Sequence, residues 1–507
     1  AYRSDLFARA GLTLWDNSWY GGHHLIAYSL LAPALGAALG PQLLAALSMT
    51  IAAALFAKLI DGHFPARATR IAAGWFALGA AIGLLSNRVP FDLGLAIGLG
   101  ALLLARRRRL TAALALALLT SLASPVAGAF LALAFLAWAL AGPARSWPTA
   151  LTLAALVPIA LLVLIFPEGG SQPFDASAFY PALAAVLLIA ALIPREQRLL
   201  RIGALLYAAA LIGSYLLPTA VGGNVDRLGA LVGGPLAACV LAGGRTRSRP
   251  AEGRAWLPPG GRARLLLVLA PFLLYWQANA PVADFAAGAS DPAVNASYYT
   301  PVLRELRSLG IGYRARPARI EVVPTVDHWE ARWLAPHIML ARGWERQLDQ
   351  YRDGLFYDRS APLTAASYRA WLSEQAVSYV ALPDAPLDYS ASSEARLLRD
   401  GPPPFLREIW RSAHWRLYAV LGASPLTQAP SVLTQLGVDS FTLQAPRAGA
   451  FTVRLHFSPY WALAAGHGCI ARAAGDWTEV RARGGGRLRV VIRFSLARIF
   501  SHGARCS

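Results

Sequence analysis

The chain has 507 residues, of which 56% are hydrophobic and only 15% charged. Soluble domains carry about a quarter charged residues, so these figures exclude a purely soluble globular enzyme, a disordered chain and a fibrous repeat. They point to a polytopic α-helical membrane protein. Three cysteines without Cys/His clustering exclude a disulfide scaffold and a structural zinc site.

The net charge of +19 comes from 46 arginines and a single lysine, Lys58, against 28 acidic residues. In a soluble chain such an excess suggests nucleic acid. In a membrane chain it is loop charge that sets topology, and no nucleic-acid partner is expected. The chain opens at Ala1 with AYRSDLFARAGLTLWDNSWYGG, which is polar and unlike a signal peptide. An upstream segment holding one more membrane helix is expected.

A span needs about 20 mostly apolar residues, fewer when it is buried among others. Ten segments qualify: 41–60, 71–86, 91–105, 110–124, 127–142, 149–166, 180–194, 200–217, 228–243 and 264–279. The stretch 25–40 is apolar but broken by Pro33 and Gly36, and reads as a re-entrant or interfacial helix. Residues 1–40 therefore form a first outer loop with interfacial helices, and 41–279 the transmembrane domain. Gly94 and Gly98 lie inside one span and read as helix-packing positions.

Loop charge alternates. One set of loops carries seventeen basic residues, among them Lys58, Arg67, Arg70, the run Arg106–Arg109, Arg145, Arg195, Arg198, Arg201 and the group Arg245, Arg247, Arg249, Arg254, Arg262 and Arg264. The other set carries four: Arg3, Arg9, Arg88 and Arg227. Positive loops stay cytoplasmic. The N-terminal stretch and everything after about 280 are therefore expected outside, in a multi-pass protein of the cell membrane. The acids of the membrane half segregate as well. Asp5, Asp16, Asp92, Glu168, Asp175 and Asp226 fall on the outer face and the inner loops hold only Asp61, Glu196 and Glu252, as an outward-facing active site would require.

After residue 280 the composition becomes more polar and aromatic. The segment 280–425 reads as a small α/β domain. A helix ends at Gly310, followed by a strand at 318–325, a helix at 369–376, a strand at 377–383, a helix at 394–400 and a strand at 415–422. The segment 426–507 alternates at period two between Gly/Pro turns and reads as a β-sandwich. Cys469 and Cys506 both fall in it. Outside the cytoplasm they are free to pair, and the sequence leaves paired and unpaired states open.

The most informative segment joins Asp5, the pair Trp15-Asp16, Trp19-Tyr20, Gly21-Gly22, His23-His24 and a downstream Pro33. It resembles the first extracytoplasmic loop of integral-membrane glycosyltransferases of the GT-C fold. In particular it is similar to the bacterial multi-spanning group known as 6-pyruvoyl-tetrahydropterin synthase-related, a label that concerns a membrane domain and carries no pterin chemistry. The resemblance covers the membrane half and the order of membrane domain, then outer soluble domain. It implies inverting transfer of a sugar from a polyprenyl-phosphate donor to a glycan or lipid acceptor of the cell envelope. It also implies that an Asp of the first outer loop acts as general base. An acceptor hydroxyl must lose its proton as the anomeric carbon is attacked, and a partly buried carboxylate suits that task.

By position Asp5 is the first candidate base and Asp16 the second. Trp15, Trp19 and Tyr20 read either as sugar-stacking rings or as an interfacial aromatic belt. His23 and His24 read as hydrogen-bond donors to phosphate or sugar. With Asp5 or Asp16 they could hold a divalent ion, although adjacent side chains on a helix diverge. The donor phosphate needs an outer cation. Arg227, beside Asn224 and Asp226, and Arg88, near Asp92, are the candidates, each with a salt bridge to its neighbouring Asp as the structural alternative. In the outer domain His328 and Glu330, within the cluster Asp327-His328-Trp329-Glu330, are candidate acceptor contacts. Two further readings are a transporter or flippase of lipid-linked glycans and a non-catalytic envelope scaffold. A transporter would place ionisable groups at the midplane of its spans.

Overall fold

The computed structural model describes residues 1–143, 145–242, 259–358, 360–499 and 506. The basic group Arg245, Arg247, Arg249 and Arg254 lies outside the described residues, as do residue 243 of the span read at 228–243 and most of the chain after 499.

The N-terminal stretch comprises α1 (Tyr2–Ala10), the two short strands β1 (Trp15–Asp16) and β2 (His23–His24), and α2 (Ala32–Leu39). Among the described residues ten apolar helices follow: α3 (Pro41–Ile60), α4 (Ala66–Gly83), α5 (Val89–Arg106), α6 (Leu110–Ala123), α7 (Pro125–Ala141), α8 (Ser146–Ile165), α9 (Ala176–Leu192), α10 (Arg198–Leu216), α11 (Asp226–Ala242) and α12 (Pro259–Ala289). Seven of these are long and apolar enough to cross a membrane, whereas α6, α7 and α9 are shorter apolar helices. Proline opens α3 and α7, where its missing N–H costs no hydrogen bond. The apolar stretch 25–40 forms one short helix, α2, after an irregular segment tied to the bundle by Ser29 Oγ donating to Ala123 O at 2.7 Å.

Small residues set the helix packing. A Cβ on Gly94 would sit 2.7 Å from that of Ala127, and one on Gly234 would sit 2.3 Å from the Trp75 ring. The last helix departs from expectation. It is 31 residues long and runs on past 279 to Ala289, because APVADFAAGA contains nothing that stops a helix except Pro281, and the chain passes through it.

The C-terminal region has two sheet-built units. The first holds α13 (Ala296–Ser308), β3 (Arg319–Val322), α14 (Glu330–Trp333), β4 (Met339–Leu340), α15 (Arg346–Arg352), α16 (Ala365–Glu374), β5 (Val377–Pro383), α17 (Ser392–Arg399), β6 (Leu406–Arg411) and β7 (Trp415–Val420). Its sheet runs β4-β3-β5-β7-β6, parallel across β4, β3 and β5 and antiparallel beyond.

The second unit is an antiparallel sandwich of β8 (Val432–Leu436), β9 (Ser440–Ala445), β10 (Gly449–His456), β11 (Trp461–Ala465), β12 (Gly468–Arg472), β13 (Trp477–Ala482) and β14 (Gly486–Ile492). One sheet is β10-β13-β12 and the other β11-β14-β9-β8. Cys469 and Cys506 form a disulfide. The region sits on one end of the bundle. Tyr460 donates to Ile165 O at 2.7 Å, where α8 ends, and Arg352 and His24 both reach Glu168 in the following loop.

Candidate functional site

The segment 13–26, expected as an open loop, is built into the C-terminal region. Asn17 N donates to Val438 O, Leu340 N to Ser18 O, and His456 N to Gly21 O, all within 2.8 Å. Trp15 completes the sandwich core, while Trp19 and Tyr20 join the core of the α/β unit. The tip turns through left-handed backbone at Tyr20, Gly21 and Gly22. At Gly22 a Cβ would lie 2.4 Å from the Trp15 ring, so only glycine fits.

This placement corrects several expectations. Trp15, Trp19 and Tyr20 are at most 1% exposed and offer no face to a sugar. Each has its polar atom satisfied inside: Trp15 Nε1 donates to Asn17 Oδ1, Trp19 Nε1 to His23 Nε2, and Tyr20 OH to Glu345 O. Asp16 is buried and accepts from Tyr2 OH at 2.7 Å and from Ser18 N at 2.9 Å. Both oxygens are thus engaged in holding the turn, and the side chain has no exposed surface.

His23 and His24 lie on a strand rather than a helix, and their rings diverge. His23 faces Trp19 and Glu345, while His24 sits between Glu168, at 2.7 Å from Nδ1, and Ser458, at 3.2 Å from Nε2. Among the described residues no group of three His, Cys, Asp or Glu side chains is placed to hold a metal. Glu345 also receives Arg3. Burial, the largest influence on the Glu345 carboxyl, opposes its charge, but Arg3 and His23 outweigh it and hold the pKa down at about 2.

His328 and Glu330 are likewise internal. Glu330 accepts from Thr325 Oγ1 at 2.6 Å and lies 3.1 Å from His328 Nδ1, and Asp388 lies 3.7 Å from His328 Nε2. His328 adopts a left-handed backbone, φ 53°, and these contacts lock it there. The pair fixes the loop 325–330 and leaves no open edge for an acceptor.

Three candidates are not fully buried. Asp5, in the first turn of α1, is 48% exposed and faces Arg332 at 3.5 Å. Arg332 in turn lies over the Trp333 ring. Arg88 precedes α5 and pairs with Asp284 of α12 at 3.3 Å, rather than with Asp92. Ser86 Oγ donates to the same carboxylate oxygen at 2.6 Å.

Arg227, in the first turn of α11, donates to Asn224 Oδ1 and lies over the Phe91 ring at 5.5 Å. It does not pair with Asp226, which instead accepts from Trp276 Nε1 at 3.0 Å. Among the described residues no carboxylate forms a salt bridge with Arg227. Asp92 is only 2% exposed, and its Oδ2 has no hydrogen-bond partner. Tyr28 lies beneath the Arg3 guanidinium at 4.5 Å and edge-on to Trp344.

The structure thus gathers Arg88, Arg227, Asn224 and Asp92 at one mouth of the bundle, under the C-terminal region. It ties Asp5 to Arg332 instead of to these arginines. Asp284 and Tyr28 were missed in the sequence. The signal for Asp284 was the alanine-rich run APVADFAAGA beyond residue 279, through which the helix continues past Pro281. Tyr28 gave none, because its partners are distant in the chain.

No protein-family model matches the chain, and no curated protein matches it. Three solved structures of an arabinofuranosyltransferase from Mycobacteria, AftD, align along most of it. One shares 14% identity at a TM-score of 0.44, covering 98% of this chain and 55% of that one. A mutant of the same protein gives 14% and 0.43 in one class, covering 99% and 57%. A second class gives 18% and 0.38, covering 90% and 41%. The chain spans about half the length of these structures. What its own helices and sheets establish is a polytopic α-helical membrane protein with a C-terminal region of an α/β unit and a β-sandwich.

Proposed function

We propose that this chain is an integral-membrane glycosyltransferase that moves a sugar from a polyprenyl-phosphate donor to a cell-envelope acceptor on the extracytoplasmic face, with inversion. The observation that carries the reading is Arg227. It is a partly buried guanidinium at a helix end, with a neutral partner, Asn224, in place of a carboxylate. A phosphate ester would satisfy its open donors through paired hydrogen bonds. Arg88 supplies a second cation nearby, partly neutralised by Asp284.

In this account Arg227 and Arg88 hold the donor phosphate at the lipid edge. They stabilise the charge that grows on it as the bond from phosphate oxygen to anomeric carbon breaks. Asp5 takes the proton from the attacking acceptor hydroxyl, and Arg332 keeps its carboxylate oriented. Loop charge supports an extracytoplasmic site. Among the described residues, the basic loops at 61–65, 107–109 and 193–197 lie, by the alternation of the helices, at the bundle end opposite the C-terminal region, and the Cys469–Cys506 disulfide suits an oxidising compartment.

Transport is the weaker reading. Charged residues in α3–α12 sit near helix ends, as with Lys58, Asp92, Arg106, Arg201 and Asp226, and none occupies the middle of a span. The test is donor affinity. Arg227→Gln in nanodiscs should weaken binding of a polyprenyl-phosphate sugar by about tenfold or more, as expected for losing a charge-assisted hydrogen bond of about 1.5–3 kcal/mol. Unchanged affinity would remove Arg227 from the site.

A further inference from the structure

The last strand of the sandwich leads into a segment that lies beside the lipid-facing surface of the bundle. Helix α8 is long and apolar enough to cross a membrane, and it stops at Ile165. Near that end Leu161, Val163 and Leu164 are exposed, Leu164 at 70%. On a spanning helix an open apolar side is the lipid face.

The sandwich meets this helix end directly. Tyr460 OH donates to Ile165 O, and the Tyr460 ring lies 5.5 Å from that of Phe166, the residue after the helix. Ile492, the last residue of β14, and Ile499 pack into the same cluster, as do Leu162 and Ile165 of α8. The chain between Ile492 and Ile499 is pinned at both ends. Arg493 N donates to Tyr460 O at 2.8 Å, and Arg498 Nη1 donates to Trp461 O at 2.6 Å.

The pinned stretch reads Arg493-Phe494-Ser495-Leu496-Ala497 and enters a single helical turn, Leu496–Ile499. Phe494 stays 47% exposed and Leu496 71%. The Phe494 ring is 5.5 Å from Tyr460 and 6.1 Å from Phe166, so it sits level with the end of α8, where acyl chains give way to headgroups. Single exposed apolar residues are ordinary on a water-facing surface. These two differ in their place, beside the end of a lipid face. Arg493, exposed and directly before them, stands where a cation reaches lipid phosphates while its stem lies along apolar surface.

We infer that residues 493–498 are a membrane foot. Phe494 and Leu496 insert into the boundary between headgroups and acyl chains, at the bundle end that carries the C-terminal region. The occupant of this apolar surface is lipid, and the sandwich is held to the bilayer as well as to α8. The inference stands on the spanning helices and does not need the transferase reading.

The test is a depth measurement. A nitroxide is placed on Leu496→Cys in the full chain, in nanodiscs of phosphatidylcholine and phosphatidylglycerol, and on Val432→Cys for comparison. Val432 is exposed on the same sandwich. It is in register with Gln444 and, through it, with Arg487, about 17 Å along β14 from Ile492. Cys239 is buried and Cys469 is paired with Cys506, so the introduced thiol takes the label. Both labelled positions are exposed, so both variants will fold. Collisions with oxygen, which concentrates among acyl chains, are compared with collisions with a water-soluble nickel chelate. The oxygen-to-chelate ratio at 496 should exceed that at 432 by about tenfold, as for a side chain seated below the headgroups. Equal ratios would place the segment in water and overturn the foot. A label at 496 shielded from both probes would overturn it as well, because the cover would then be protein, either the residues after Ile499 or a second copy of the chain.

Discussion

The segment 13–26 and the mouth at Arg88 and Arg227 are opposites. The first is dense in Trp, His and Asp, the residue types that most suggest chemistry, yet each of those side chains is buried and most of their polar atoms are satisfied within the chain. The second is poor in such residues, but holds a guanidinium with no carboxylate and a buried carboxylate oxygen with no donor. The contrast teaches that residue type alone locates polar groups, whereas missing partners locate groups with binding capacity to spare. The N-terminal loop is the clamp that joins the helical bundle to the α/β unit and the sandwich, and the mouth is where ligand chemistry has room.

The largest effect follows from the clamp. Trp19→Ala should cost about 3–5 kcal/mol, as for other fully buried aromatics, seen as loss of folded protein or a sharply lowered melting temperature. A variant that kept its stability while losing glycan binding would break the comparison, because it would make Trp19 a ligand platform. Glu168→Gln comes next. It weakens the support for both His24 and Arg352 at the seam, and should cost about 1–3 kcal/mol.

At the mouth the two arginines should differ. Arg88 already has Asp284, so Arg88→Gln should weaken donor binding by only about threefold, less than Arg227→Gln. A larger effect at Arg88 would reverse their roles.

The smallest effects are with pH, in the unfolding of the C-terminal region followed by tryptophan fluorescence. Burial, reinforced by the Arg352 charge, lowers the His456 pKa from 6.5 to about 4. The unfolded chain therefore binds the extra proton first, and stability falls as pH drops from about 6.5 towards 4. His328 behaves in the opposite sense. Burial disfavours its charge, but the neighbouring carboxylates of Asp388 and Glu330 outweigh that and raise it to about 9. Its contribution is full below 6.5 and lost as pH rises through about 9. His456→Gln should flatten the acid limb and His328→Gln the alkaline limb.

Much of the fold was legible. The ten apolar segments are helices because each is a long apolar run ended by charge, glycine or proline. The period-two stretches of the C-terminal region are strands β9, β10, β13 and β14. Strands β11 and β12 were not seen, because Trp-Ala-Leu-Ala-Ala and Gly-Cys-Ile-Ala-Arg lack both β-branched runs and alternation. Strand β6 was passed over for a similar reason. The site was less legible. Asn17 meets Val438 and His24 meets Ser458, more than 400 residues away, and Arg88 meets Asp284 across nearly 200. No local pattern encodes such partners, so the sequence overstated the loop. It did single out Asp5, Arg88, Asn224 and Arg227 from their outer helix ends and loops, since position along a span is local information.

The most direct test of the account is release of polyprenyl phosphate. Wild type and Asp5→Asn, in nanodiscs with a panel of polyprenyl-phosphate sugars and envelope glycan acceptors, are compared by mass spectrometry. The account predicts release by wild type from at least one donor, and a rate lower by about 10²-fold or more in the variant, the usual worth of a general base. Equal rates would remove Asp5 from the chemistry, and no release from any donor by folded wild-type protein would contradict the transferase reading itself.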